Sequence, residues 1–403
     1  MIELFRIAVR NVLKRKKRAA LTMLGVFIGI TAVVALISLG QGLQQTINEQ
    51  FEKVGADKII IQAKEAGFTG QFAAGKMTER EAELTAKVQG VKNTAGYLFR
   101  STTLQYNKIQ RAVYISSIPD KPKEADLIWQ FLTAEIEDGR KISHNDKLKA
   151  NIGYDLAHKK TFQKNIQIGD KIKAGNYTLE VVGSFLRTGD PTFDTGIVVP
   201  EDTVRLIVGD NTSFSMVVAQ AAPTFDPETV AERIKKEIRS DRHQKERKED
   251  FTVQTSTQLI ESFNSVFLII QVVFVGIAAI SLVVGGVGIM NTMYTSVLER
   301  TREIGVMKAI GARNKDILTL FIIESGLLGL AGGIIGVLLG TGLSTAVSFG
   351  ANSAFGPNTI NAAYPPALII GALLFSLITG TLSGVLPARR ASKLKPVEAL
   401  RDE

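Results

Sequence analysis

The residue types that most often carry chemistry are scarce in this chain, and the few that approach a known spacing miss it. No cysteine occurs among the 403 residues, which excludes thiolate metal sites, disulfide frameworks and cysteine nucleophiles. The three histidines, His144, His158 and His243, form no HExxH pair and read as polar surface residues rather than a metal centre. The run Gly70-Gln-Phe-Ala-Ala-Gly75-Lys76-Met77 comes within one residue of a phosphate-cradling loop. Its last position must present a hydroxyl to magnesium, and Met77 has none; a surface loop is the plainer reading. Gly286-Val-Gly288 lacks the third glycine of a dinucleotide fingerprint, and no GxSxG elbow occurs, so a hydrolase-type serine has no support. With chemistry this sparse, the informative residues are those that position the chain.

Charge placement supplies them. No Asp, Glu, Lys or Arg occurs from Ala19 to Asn48 or from Ser262 to Leu298, and from Ile317 to Ala388 Glu324 is the sole one. Residues 19–40 would make about 33 Å of helix against a hydrocarbon core of about 30 Å. That apolar run exceeds the roughly 7–15 residues of a signal-peptide core and no A-x-A site follows, so an uncleaved anchor is expected. Residues 263–291, 317–349 and 366–386 read as three further spans. Gly, Pro and Asn crowd the connection 350–365 and predict a loop there.

Orientation follows from the basic residues near the span ends. Residues 1–18 hold seven basic and one acidic residue, and the segments 292–316 and 387–403 hold five and three each. Both termini and the loop 292–316 are thus expected in the cytoplasm, with 41–262 and 350–365 outside. The outer segment carries 31 basic and 31 acidic residues, so the net charge of +9 is a topology signature. It offers no folded basic surface for nucleic acid.

Residues 41–262 read as a large α+β domain inserted between spans 1 and 2. Short β-rich runs at 58–62, 111–115, 178–182, 196–199 and 216–220 are bounded by turn formers. Thr78-x-x-Glu81 predicts a capped helix from Thr78 to Val88, and Asp226 followed by Pro227 predicts another to Arg239. Leu43, Ile47, Phe51 and Val54 continue helical spacing out of the first span, and Ile260, Phe263, Phe267 and Ile270 lead into the second, as if two helices formed a paired stalk. No nucleophile, metal cluster or informative carboxylate pair stands out in this domain.

Gly25 and Gly29, then Gly332, Gly336 and Gly340, recur at four-residue spacing, which lets helices approach closely; packing within one bundle or a subunit interface would use it. Glu324 is costly in lipid and reads either as snorkelling to the cytoplasmic interface or as a proton relay. In residues 1–18, Ile2, Phe5, Val9, Val12 and Leu13 share one helical face and Arg6, Arg10, Lys14 and Lys17 the other. Such a helix is expected to lie on the inner leaflet, bound to anionic lipid.

The most specific stretch is the loop between spans 2 and 3. From Glu299 it runs Arg300-Thr301-Arg302-Glu303-Ile304-Gly305-Val306-Met307-Lys308-Ala309-Ile310-Gly311. A short helix from about Glu299 to Ile310 would put Ile304 and Met307 on one side, leave Arg300, Arg302, Glu303 and Lys308 available for ion pairs, and end at Gly311. The stretch resembles the ERTREIG-x-x-KAIGA signature of the MacB-like and FtsX-like permeases of ABC transporters. The tail Pro387-Ala388-Arg389-Arg390 through Pro396-Val397-Glu398-Ala399-Leu400-Arg401 resembles that family's ending, and Arg18 to Gly29 its first span. Looser matches at 168–172, 179–183 and 250–254 extend the likeness over the whole chain.

The resemblance implies that this loop is a coupling helix inserting into a groove on a cytoplasmic ABC ATPase. No Walker sequences are present, so ATP and magnesium are expected on that separate subunit, with no enzyme activity and no cofactor in this chain. Paired ATPases imply a second permease copy, most simply a homodimer, and an extracytoplasmic adaptor is a further expected partner. The implied function is mechanotransmission driving export of a peptide, drug or amphiphile. FtsX-like signalling to extracytoplasmic enzymes and lipoprotein release by a permease pair are the alternatives.

Overall fold

The computed structural model describes residues 6–8, 10, 16–64, 77–143, 145–210, 212–355 and 360–401. Four of its helices are long and apolar enough to cross a membrane: α1 (Lys16–Val54), α8 (Ser256–Glu299), α10 (Asn314–Phe355) and α11 (Pro366–Lys393). The chain divides into two units, one of Met1–Gln44, Ser265–Gly350 and Ile360–Glu403, the other of Gln45–Asn264 with Ala351–Thr359.

In the first unit, glycines set how closely the helices approach. A Cβ on Gly25 would lie 2.7 Å from the Cα of Gly285, so α1 and α8 cross backbone on backbone. The glycines of α10 receive the other side of α1: Gly332 faces Val26, Gly336 faces Ile30 and Gly340 faces Val34. Gly329 and Gly380 make a second bare crossing between α10 and α11, where a Cβ on either would come within 2.8 Å of the other's Cα. With no hydrophobic drive between helices in lipid, this contact is what dispersion needs. The four-residue glycine spacing therefore serves packing inside one chain. Val26, Ile30, Val34, Leu282, Ile289, Phe321 and Leu328 fill the seams.

The helices outrun the lengths a bilayer demands. α8 has 44 residues and α10 has 42, about 65 Å each at 1.5 Å per residue. α10 continues through Gly350 and Asn352, where turn-forming composition predicted a loop. Glycine within a helix costs only about 1 kcal/mol. The described helix ends at Phe355.

The second unit holds two larger sheets. One has the order β13-β1-β12-β3 and is antiparallel throughout, formed by β1 (Lys58–Ala63), β3 (Val91–Tyr97), β12 (Met216–Ala221) and β13 (Phe251–Thr255). Both faces are covered, which is why β1 reads Ile-Ile-Ile instead of alternating. Ile59 and Ile61 pack with Val230, Ile234 and Ile238 of α7 (Pro227–Asp241). Ile60 turns to the opposite face with Leu127 and Ile128 of α3 (Pro122–Leu132). The predicted caps form: Glu81 accepts from the Thr78 amide at 2.6 Å, opening α2 (Glu79–Lys87), and Asp226 accepts from the Thr229 amide at 2.9 Å at the start of α7.

The second sheet has seven strands, among them β6 (Ile136–Gly139), β7 (Lys149–Ile152) and β8 (Lys171–Ala174), in the order β6-β9-β7-β10-β5-β4-β8. Its longest pairing joins β4 (Phe99–Tyr106) to β5 (Ile109–Ile118) through Asn107 and Lys108, both with positive φ, as a two-residue hairpin turn requires. The connection between β9 (Tyr177–Phe185) and β10 (Ile197–Pro200) is gathered by buried Asp194, which accepts from the Thr188 amide and hydroxyl and the Gly189 amide. Lys159 and Arg187 both donate to the carbonyl of Ala354, each at 3.0 Å, capping the end of α10 with positive charge. Phe51 of α1 and Phe263 of α8 bring their rings to 5.7 Å. Met77, the failed position of the phosphate-loop pattern, is buried in the short β2 (Met77–Thr78) opposite Phe214; residues 70–76 lie outside the described residues.

Of the amphipathic N-terminal set, Arg6 and Arg10 are helical and exposed. Lys14 lies outside the described residues, as do Ile2, Phe5, Val9, Val12 and Leu13. Lys17 belongs to the first turns of α1, and its side chain is outside the described set.

Candidate coupling site

The loop between α8 and α10 folds into a single short helix, α9 (Thr301–Ala309). α8 stops at Glu299 and α9 begins at Thr301, so the change of direction falls on Arg300, with φ −112° and ψ 14°. The Thr301 hydroxyl donates to the carbonyls of Val297 and Leu298 at 3.1 and 2.9 Å, satisfying acceptors that the break leaves free. At the other end Gly311 takes φ +107°. The Ala312 amide bonds the carbonyl of Met307 at 2.9 Å and the Gly311 amide that of Lys308 at 3.1 Å. This pair of bonds is a Schellman close, which needs a residue free to adopt the left-handed conformation. Asp316 accepts from the Arg313 amide at 3.0 Å and opens α10.

The predicted residues divide into two sets. Ile304 and Gly305 are buried, and Ile304 packs with Met293, Val297, Ile317, Phe321 and Ala391 while Met307 covers its flank. Glu299, Arg302 and Glu303 are exposed. Arg300 and Lys308 depart from the expectation that their charges stand available to a partner. The Arg300 side chain is only 7% exposed; its guanidinium donates to Glu324 of α10 at 3.0 Å and to Glu303 at 3.1 Å. It also lies 5.3 Å over the Phe321 ring. Lys308 donates to the carbonyls of Ser392 and Leu394 at 2.6 and 2.7 Å, where α11 ends and a helix carries partial negative charge. The physical reason is proximity: the loop folds back against the starts and ends of its own helices, so these cations meet internal acceptors first.

Glu324 departs likewise. Neither snorkelling nor a lone relay describes a carboxylate whose side chain is 8% exposed and bonded to a buried guanidinium. Its isolation in a long uncharged run was the signal that it needed a partner, though nothing in sequence spacing named one 24 positions away.

Sequence reasoning missed the apolar half of the outer face. Leu298, Val306 and Ile310 are exposed, Leu298 at 75% and Ile310 at 82%. Arg302, Val306 and Ile310 recur every four residues along α9, a stripe that a helical periodicity count over 302–310 would have found, while Leu298 stands in the last turn of α8 before the break. Beside it, α12 (Pro396–Arg401) packs against α9, burying Ala399 and exposing Val397. Large aliphatic side chains thus stand far into solvent on a braced helix, which makes this face the candidate docking surface.

Comparison with known proteins identifies the family of the chain. Residues 19–237 match the MacB-like periplasmic core domain and residues 275–396 the FtsX-like permease C-terminal domain. The chain is 37% identical to the uncharacterised ABC transporter permease MJ1507 of Methanocaldococcus jannaschii, covering 98% of this chain and 97% of the relative. It is 30% identical to the uncharacterised ABC transporter permease YknZ of Bacillus subtilis over 100% of both chains. Identity is also 30% to the macrolide export ATP-binding/permease protein MacB of Bdellovibrio bacteriovorus, over 100% of this chain and 62% of that longer protein. The chain belongs to the MacB-like and FtsX-like ABC transporter permeases, as a multi-pass membrane protein with four transmembrane helices and a large α+β extracytoplasmic domain between the first two.

Proposed function

We propose that this permease couples ATP hydrolysis on a separate cytoplasmic ATPase to movement of its extracytoplasmic domain, driving export of a peptide, drug or amphiphile by mechanotransmission. The observation that carries the reading is the outer face of α9, where Arg302, Val306 and Ile310 stand exposed on a helix anchored from beneath, after an exposed Leu298 in the last turn of α8. ATP and magnesium belong to the partner subunit, which grips this face. The separate ATPase is supported by the end-to-end correspondence with two relatives named as permeases, while the relative named as an ATP-binding/permease protein is longer. Cytoplasmic placement of both termini and of α9 rests on the basic excess in 1–18, 292–316 and 387–403. ABC ATPases work as pairs, so two permease copies act together, most simply as a homodimer, with an adaptor outside and anionic lipid against Arg6 and Arg10.

The experiment is co-purification of the permease with its ATPase. Arg302→Glu combined with Ile310→Asp places charge and wrong polarity on the outer face without touching the internal contacts of Arg300. Loss of the ATPase from the purified complex is expected, and full retention would reject docking at this face. Reversing Glu303 is less clean, because Glu303 also receives Arg300.

A further inference from the structure

We infer that Arg300, Glu324 and Lys308 are transmission residues that weld the coupling helix to the third and fourth spans; the inference rests on the docking role proposed for α9. α9 is joined to α8 through the single residue Arg300, whose backbone interrupts the helix. A pull on the outer face would turn α9 about that joint unless something else held it. Two contacts do. Arg300 reaches Glu324, inside α10, at 3.0 Å. Lys308, two turns further along α9, takes two carbonyls at the end of α11 at 2.6 and 2.7 Å. The two grips lie at opposite ends of α9 and land on different helices. A displacement of α9 is therefore passed to α10 and α11 together.

The chemistry suits a stiff joint. A buried guanidinium and a buried carboxylate hold each other because parting leaves two uncompensated charges in a poorly hydrated place. Charge-assisted bonds to fixed carbonyls are short and strongly directional. Neither cation is needed to form α9, which closes through Thr301 and the Schellman turn at Gly311. What their removal takes away is attachment, while the outer face of Leu298, Arg302, Val306 and Ile310 is untouched. The loop motif thus separates into a docking set facing outward and a transmission set facing inward.

The test uses the full permease with its ATPase in lipid nanodiscs. The chain has no cysteine, so Gln110→Cys, exposed on the extracytoplasmic domain, takes one spin label per copy, and the inter-copy distance is read with and without ATP. Glu324→Gln and Lys308→Gln should keep the ATPase bound while the ratio of ATP-shifted to unshifted population falls about tenfold. The exchange Arg300→Glu with Glu324→Arg should restore the shift relative to Arg300→Glu alone. A full shift in both single variants would overturn the inference, as would loss of the ATPase from either, or an exchange variant with wild-type melting that stays silent. Where Glu324→Gln or the exchange does not fold, Lys308→Gln decides. No ATP-dependent shift in the parent protein would defeat the proposed function and this inference together, whereas a parent shift that survives in the variants defeats the inference alone.

Discussion

The bare crossing of α1 and α8 yields a prediction whose sign depends on one methyl group. In Gly285→Ala the added Cβ would sit 2.7 Å from the Val26 amide nitrogen and 2.9 Å from the Gly25 carbonyl carbon. Both are backbone atoms and neither rotates aside. Ordinary contact begins at 3.4 Å, so the helices must part by roughly 0.7 Å, a gap that forfeits about a quarter to a half of the dispersion along the seam. Val26, Leu282 and Ile289, all buried at this crossing, lose those contacts. Overpacking of this kind costs about 1–3 kcal/mol, against about 0.5–1 kcal/mol gained by alanine in a helix. Gly276→Ala is the control: it lies in the same helix with nothing within 4 Å of its Cβ, and keeps only the gain. The two variants should thus differ by about 1–3 kcal/mol, or about 3–10 °C in the melting of a unit of this size. Scanning calorimetry of the permease in nanodiscs reads the difference. Gly285→Ala melting at or above Gly276→Ala would refute the reading of these glycines as contact residues.

Two further outcomes concern the extracytoplasmic domain, where the single tryptophan, Trp129, reports unfolding by fluorescence. Arg140, bonding the Asp146 carboxyl at 2.6 and 2.9 Å, with help from the Ser143 amide, holds that carboxyl well below the usual carboxylate range. A depressed pKa adds stability above the unfolded value of about 3.9, lost only as pH falls through the folded value. Asp146→Asn should accordingly unfold more easily than wild type at pH 7, with the gap closing below about pH 4; a gap independent of pH would contradict this. Asp194→Ala leaves the Thr188 and Gly189 amides without their acceptor in a buried loop. It should cost about 2–4 kcal/mol, and denaturant midpoints equal to wild type would show that water replaces the carboxylate at no cost.

The four spans were legible because charge is costly in lipid, and the sparsely charged runs around Ile30, Val275, Gly333 and Leu374 share that cause. Their ends were not legible. Nothing in the composition near Ser256 or Asn352 says whether a helix stops at the lipid surface or runs on, since glycine and asparagine only weaken a helix that tertiary packing retains. In the extracytoplasmic domain, β-branched runs such as Ile59 to Ile61 announced strands because both their faces are buried. The strand Ile136-Glu-Asp-Gly139 announced nothing, because its place comes from hydrogen bonds to β9 and not from its own propensity. The coupling loop split the same way. Its motif and helix were readable from residue order, as was the closing Gly311. That Arg300 and Lys308 face inward depends on acceptors at Glu324, Ser392 and Leu394, and only the folded chain brings those near.

The polar groups inside the helices bear on what such a bundle does. A conduit for a hydrophilic cargo needs side chains that offer bonds to something passing. Here the hydroxyls of Ser281, Thr295, Thr341, Thr379, Thr381 and Ser383 donate back to carbonyls one turn earlier in their own helices. Glu324 is engaged by Arg300. Where polar groups are satisfied in this way a helix gains nothing from opening to water, although the buried Ser38 hydroxyl and Gln41 amide oxygen of α1 have no such partner among the described residues; glycine seams at backbone contact resist opening further. Such helices do better sliding or tilting as packed bodies than parting to form a path. The internal contacts of α9 then become the point where a cytoplasmic pull would enter. On the function proposed above, force delivered there would reach α10 and α11 through charged bonds, and α1 through the glycines of α10, without any step that requires the cargo to touch the membrane interior.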